Sequence, residues 1–313
     1  MMRITSNTLA SQLSDDLTRL SSTQTRLTQQ LASGRRLFDA SDDVPATGRV
    51  MSYDSEKRAL QQYERNSLRG LTTIAVSTAS LESINKIAGK IFNIAPAATA
   101  SGDASQMDAF AGQIDGLIEQ TVSQLNTQIS GTYIFGSRRT DTPPFTVTRN
   151  AAGQIDTVSY VGDNAAAPTI SVSESADVAT TTSGTENIQL RDFLTNLVAL
   201  RQAVDDLSTA TTANNQAGMA TARAAITTTQ NTLGDDEDSI TTMLSTLSIS
   251  QLRIKTSQEQ NSTRFNQLAD LSASETEINT ADVAIQLQSS NRAYEAALKA
   301  GANLLQKSLL DYL

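Results

Sequence analysis

The sequence predicts a mainly α fold: a long antiparallel helical bundle or coiled coil built from both chain ends, with a small central β-rich insertion. Three observations predict it. Near the N-terminus, Leu13, Leu17, Leu20, Leu27 and Leu31 fall at alternating four- and three-residue spacings, with Gln24 filling one polar position of the same seam. Near the C-terminus, Ala284, Leu287, Asn291, Tyr294, Leu298, Gly301, Leu305 and Leu309 repeat that alternation apart from the final step. Between them, the helical period gives way over about residues 132–190 to short runs of β-branched and aromatic residues divided by Pro, Gly, Asn and Asp. Each end offers one narrow apolar stripe on an otherwise polar helix, so each end needs a partner, and the other end is the obvious one.

The elements follow in order. After the first helix, Gly34 suits a helix C-terminus and Pro45 the first turn of the next, with Asp42 and Asp43 as candidate caps. A long helix is expected from about 46 to 95, carried by Leu60, Leu71, Ile74, Leu81, Ile84, Ala88 and Ile91, with Pro96 marking its turn. Met107, Phe110, Ile114, Leu117, Thr121 and Leu125 place a further helix over about 105–130, ended by Gly131. The runs TYIFGS, PPFTVT, IDTVSYV and PTISVS read as strands, and helix resumes at Leu190. STATTANNQAG reads as a soft linker before a mostly helical remainder. The expected organisation is an N-terminal coiled-coil helix at 1–40, long helices at 41–131, a β-rich outer domain at 132–190, returning helices at 191–280 and a C-terminal coiled-coil helix at 281–313.

Composition excludes several function classes. With neither His nor Cys in 313 residues, thiol nucleophiles, Ser-His-Asp triads and Cys/His zinc sites cannot be assembled. A net charge of -9 argues against general binding to a phosphate backbone, so no nucleic-acid partner is expected. No stretch has the apolar length of a membrane span, and the start MMRITSNTLASQLSDDLTRL lacks the apolar centre of a secretory signal, so neither membrane insertion nor a cleaved signal peptide is expected. Only 4% of residues are aromatic, which suits aliphatic helix packing better than a deep globular core.

Smaller signals are read conservatively. The acidic run Asp235-Asp236-Glu237-Asp238 lacks the spaced acids, central Gly and closing Glu of a calcium loop, and is expected to be a solvated helix start with no metal. Asn261-Ser262-Thr263 matches a glycosylation acceptor, a pattern with a high chance rate in a helical segment. Arg35 and Arg36 could meet an acidic neighbour, although two Arg at a helix end ordinarily complement its dipole. No catalytic, cofactor or metal-binding residue is assigned.

The chain resembles the flagellin superfamily at both ends. Leu27, Leu31, Ser33-Gly34-Arg35-Arg36 and Ser41-Asp42-Asp43 look like the N-terminal Leu-rich helix, Ser-Gly-basic-basic step and Ser-Asp-Asp element of that superfamily. Tyr294-Glu295-Ala296-Ala297-Leu298 and the ending Ser308-Leu309-Leu310-Asp311-Tyr312-Leu313 resemble its hook-associated protein 3 branch, as does Gly131-Thr132-Tyr133-Ile134-Phe135-Gly136 followed by Pro144-Phe145. The resemblance implies a structural flagellar subunit, exported without a cleaved signal peptide, that joins hook to filament through its terminal helices. It implies as partners other copies of the chain, a neighbouring hook-associated protein, flagellin and an export chaperone, with no cofactor and no catalysis. Apolar helix faces ordinarily form the core of a bundle within one chain. The resemblance instead assigns Leu13, Leu17, Leu20, Leu27, Leu31, Leu287, Tyr294, Leu298, Leu305 and Leu309 to an assembly interface. A filament flagellin, and beyond the superfamily a secreted coiled-coil adhesin or phage tail component, are the alternatives.

Overall fold

A computed structural model describes the backbone of residues 6–310 and the side chains of residues 11–303. The described residues form six helices: α1 (Ser6–Ser33), α2 (Val44–Ala100), α3 (Ala104–Leu125), α4 (Gly184–Thr212), α5 (Gln216–Thr276) and α6 (Thr280–Leu310). Between α3 and α4 run six short strands: β1 (Gln128–Ile129), β2 (Thr132–Tyr133), β3 (Phe145–Arg149), β4 (Ile155–Tyr160), β5 (Thr169–Ser173) and β6 (Ala176–Ala179). The predicted fold class holds. By its internal contacts the chain divides into two compact units, Met1–Ala59 with Thr263–Leu313, and Leu60–Ser262.

Short polar side chains start the helices after α1. Asp43 Oδ1 accepts from Ala46 N at 3.0 Å before α2, Asp103 Oδ1 from Ser105 N at 3.0 Å before α3, and Asn215 Oδ1 from Gly218 N at 3.1 Å before α5. Asn279 Oδ1 does the same for Ala281 N at the head of α6. Ahead of α4, Ser183 and Glu186 exchange hydrogen bonds as a full capping box. Each satisfies an amide that the first helical turn leaves without a partner.

In the Leu60–Ser262 unit, α2 and α5 run antiparallel. Glu64 accepts from Gln258 at 3.0 Å, and Phe92 lies beside Gly234 further along. The core gathers Ile74, Leu81, Ile84 and Ile91 of α2, Ile114 and Ile118 of α3, Leu190, Phe193, Leu194 and Leu197 of α4, and Ile226, Leu233, Ile240 and Ile254 of α5. Most are branched aliphatic side chains with little rotamer freedom to lose, which suits close helix packing. Arg201 is buried to 1% exposure among them, held by Asp115 at 2.9 Å and by the Ile155 carbonyl at 2.8 Å. It ties α3, α4 and β4 together.

The strands form three separate antiparallel hairpins rather than one β module. Helix α3 stops at Leu125, short of the expected 130, because Ser130 and Gly131 both take positive φ (51° and 81°) as the two-residue turn of the β1–β2 hairpin. The β5–β6 hairpin lies on α2 and α5: Asn66 donates to the Ser171 carbonyl at 2.9 Å, and Ser257 and Asn261 both donate to the Val172 carbonyl at 2.8 Å. Ile170 fills the space that a side chain at Gly70 would need. Asn261 is therefore a buried hydrogen-bond donor, and its amide is no acceptor site for a sugar.

Several sequence expectations are corrected. Helix α2 continues through Pro96 to Ala100, since only one turn follows the proline and the missing amide bond lies at its end. Helix α4 begins at Gly184, six residues before Leu190, because its capping box is in the preceding segment. The expected linker is mostly helix: Ser208 donates to Asp108 at 2.5 Å and Thr211 to the Leu207 carbonyl at 2.7 Å, leaving only 213–215 as the break. The acidic run 235–238 is inside α5, where Asp236 accepts from Asn196 at 2.6 Å and burial raises its carboxyl pKa.

Candidate assembly interface

Helices α1 and α6 pack against each other within the unit formed by Met1–Ala59 and Thr263–Leu313. On α6, from residue 283 to residue 303, only Val283, Leu287, Ser290, Tyr294, Ala297 and Gly301 are buried or half-buried. Their spacing is four, three, four, three, four, the repeat that keeps one seam on a partner helix. On α1 the facing stripe comprises Leu13, Leu17, Leu20, Gln24, Leu27 and Leu31, flanked by the buried Gln30. Gln24 donates to the Ser290 carbonyl at 3.4 Å, and Leu13 lies over Gly301.

The predicted α1 residues thus share one face, with Leu27 fully buried and Leu13, Leu17, Leu20 and Leu31 half-buried. On α6, Leu287 and Tyr294 are on the seam, whereas Leu298 is 47% exposed and Ala284 and Asn291 are exposed with it. The expected α6 stripe is therefore offset by one residue along half of its positions. Val283, Ser290 and Ala297 occupy those seam positions instead. The same four-three alternation would have found them, but Ser290 and Ala297 carry too little apolar surface to draw attention beside Leu298. The side chains of Leu305 and Leu309 lie outside the described residues.

The two turns at the base of this pair hold more than their sequence suggests. Gly34 ends α1 at φ 71°, a left-handed conformation that glycine adopts without strain. The chain then pairs with the α5–α6 turn: Arg36 N donates to the Thr276 carbonyl at 2.7 Å, Ile278 N donates to the Gly34 carbonyl at 3.2 Å, and Arg35 and Glu277 form a single antiparallel bridge. The Arg36 guanidinium donates to the Glu275 carbonyl at 2.8 and 3.1 Å and to Asp43 at 2.9 Å. Arg49 of α2 clasps the Glu275 carboxylate through two hydrogen bonds of 2.8 and 2.9 Å. Further along the same helices, Arg264 and Glu56 make a similar two-bond pair.

These contacts shift the carboxylates. The Arg36 hydrogen bond, followed by that from Ala46 N, holds Asp43 below its usual range. Arg49 does the same for Glu275. Asp42 is lowered by the amides of Asp39 and Phe38, so it caps the preceding turn while Asp43 caps α2. Ser-Gly-Arg-Arg and Ser-Asp-Asp are therefore the two halves of one joint with Glu275 and Glu277. Among the described residues, no group of three or more acidic side chains is arranged to hold a metal ion, and no helix is long and apolar enough to cross a membrane.

Residues 4–140 match the family model of the bacterial flagellin N-terminal helical region. No curated protein sequence matches the chain. Among solved structures, a protein assigned to the flagellar hook-associated class from Vibrio parahaemolyticus is similar over 75% of this chain and all of its own, at 14% identity and a TM-score of 0.63. The flagellar junction protein FlgL of Legionella pneumophila is similar over 74% of this chain and all of its own, at 12% identity and a TM-score of 0.57. FlgL of Bacillus cereus is similar over 72% of this chain and all of its own, at 15% identity and a TM-score of 0.51. These likenesses establish a shared fold, and the family match anchors its N-terminal part. Residues 4–140 are thus similar to the bacterial flagellin N-terminal helical region, and the chain shares its fold with flagellar hook-associated and junction proteins.

Proposed function

We propose that this chain is a structural subunit of the bacterial flagellum, a junction adaptor that joins the hook to the flagellin filament through its terminal helices, and not an enzyme. The observation that carries the reading is the pairing of α1 with α6, which brings the N-terminal and C-terminal helices into one two-helix element; among the described residues its outer face is polar on α1 and mixed on α6, where Ile285, Leu298 and several alanines are exposed. In an assembly, those outer faces are the surfaces left to meet neighbouring copies, a neighbouring hook-associated protein and flagellin. The resemblance of the chain ends and the folds of the FlgL proteins support the junction role over that of a filament subunit. The location is then the extracellular flagellum at the hook–filament boundary. Delivery without a cleaved signal peptide, assisted by an export chaperone, belongs to the same reading.

Immunogold labelling of intact flagella tests it. A single band at the distal end of the hook is expected. Staining along the whole filament would make the chain a filament subunit, and no flagellar staining would overturn the reading.

A further inference from the structure

We infer that neighbouring copies of this chain dock side to side, the groove between α2 and α3 of one copy receiving the acidic outer face of α5 of the next. The inference rests on the proposed role as an assembled subunit and deepens it by naming which faces meet. Within the Leu60–Ser262 unit, α2, α3, α4 and α5 surround the core in that order. Asp115 and Arg201 join α3 to α4, Asn196 and Asp236 join α4 to α5, and Phe92 beside Gly234 joins α5 to α2. The α2–α3 and α4–α5 sides therefore face opposite ways.

The α2–α3 side is an open groove of about 510 Å³, lined mainly by polar side chains such as Lys90 and Asn93 of α2 and Gln113 and Gln120 of α3. Lys86 is exposed one turn earlier on the same line of α2, and Glu82 is a further turn off, beyond the groove. Among the described residues neither lysine is in an ion pair, whereas the carboxylates in this stretch of α3, Asp115 and Glu119, are already held by Arg201 and Arg149. At Gly116, in the same groove, a Cβ would have nothing within 4 Å. An alanine would fit there and favour the helix, so the cleared space serves nothing inside the chain.

The α4–α5 side has the opposite charge. Asp235 and Asp238 are exposed on α5, with Glu237 half-buried between them, and among the described residues none of the three is in an ion pair. Asp236 is taken up by Asn196, and Asp192 of α4 by Arg191. The two charged faces are also level: Phe92 beside Gly234 puts Lys90 and the acidic run at the same height on the antiparallel α2–α5 pair. A copy displaced at right angles to the helices, with no slide along them, brings its acids to its neighbour's lysines. Such a contact joins two different faces, so it repeats from copy to copy and closes into a ring where the rotation allows. Opposite charges at matched positions fix its register and disfavour wrong partners.

The chain has no Cys, so thiols can be introduced without background. Lys90→Cys combined with Asp235→Cys, treated with a short bismaleimide in purified flagella, is expected to give a ladder of dimers and higher multiples of this chain. Each single variant should give none. Lys86→Glu with Lys90→Glu is expected to lower the number of filaments per cell about tenfold. Adding Asp235→Lys and Asp238→Lys to the same chain should restore most of them, because each face again meets its opposite. All four positions are exposed, so the circular dichroism of the purified variants should match wild type. Chain present in flagella by immunoblot but without a ladder overturns the inference and leaves the junction reading standing, whereas absence of the chain from flagella overturns both. A cross-linked product that is not a multiple of this chain overturns the inference as well. So do wild-type filament counts with the reversed lysines, or a fourfold swap that restores nothing.

Discussion

A Cβ atom added to Gly301 of α6 would lie 2.6 Å from Cδ2 of Leu13 on α1. The obstructing atom is the tip of a flexible side chain, so a methyl group can be accommodated by a small rotation of Leu13. Replacing a helical glycine by alanine also gains about 0.5–1 kcal/mol of helix stability. Gly301→Ala is therefore expected to leave the pair close to wild type. Gly301→Leu brings in a volume the seam cannot yield, and overpacking of this kind typically destabilises by about 1–3 kcal/mol. Limited proteolysis is the measurement: faster cleavage within residues 11–33 for Gly301→Leu but not for Gly301→Ala.

The buried Arg201 gives an asymmetric prediction. Removing its partner by Asp115→Ala leaves a guanidinium at 1% exposure without its closest carboxylate, the next being Asp205 at 3.9 Å. Breaking a buried pair from one side costs about 3–5 kcal/mol. Arg201→Met removes the charge that needs compensation, and Asp115, at 19% exposure, still reaches solvent and still accepts from Ile155 N. The denaturant midpoint by circular dichroism should fall far more for Asp115→Ala than for Arg201→Met.

Acid acts on the joint between the α1–α2 and α5–α6 turns with a definite sign. Asp43 and Glu275 both have folded-state pKa values below their ordinary 3.8 and 4.5. A carboxylate lowered in this way contributes stability above its unfolded pKa and loses it as pH falls through the folded value. The difference in melting temperature between wild type and Glu275→Gln should thus be present at neutral pH and shrink towards zero below about pH 4. A difference that stays constant across that range would show that the substitution perturbs packing rather than charge.

Leu298 separates folding from assembly. At 47% exposure in the isolated chain, its replacement by Asp should change the monomer's stability by no more than about 0.5 kcal/mol. If the outer face of α6 packs against neighbours in the junction, every assembled copy would bury that carboxylate unpaired, at a cost of several kcal/mol each. Cells carrying Leu298→Asp should make hooks and release flagellin into the medium. Thr169→Asp, on an exposed strand position of β5, should leave filaments attached. Filament counts by electron microscopy together with secreted flagellin distinguish these outcomes, and normal filaments with Leu298→Asp would remove α6 from the interface.

The helical class, the α1 stripe from Leu13 to Leu31 and the change to strand between α3 and α4 are all legible in the residue order alone. Each of these is a local periodicity, set by which residues can share one face of a helix or strand whatever the surroundings. Gly34 is legible as a helix end for a similar reason, because a left-handed residue after a polar helical run has a local steric cause. The remaining features depend on partners distant along the chain. The α6 seam runs through Ser290 and Ala297 instead of Leu298 because a helix pairs along the line where its backbone can approach a partner, and small residues permit this where larger ones do not. Residues 208–212 and 235–238 are helical against their composition because Asp108, Asn196 and the neighbouring helices satisfy their polar groups, and those partners are remote in sequence. Arg36 and Glu275 are 239 positions apart, and only the folded chain makes one joint of them.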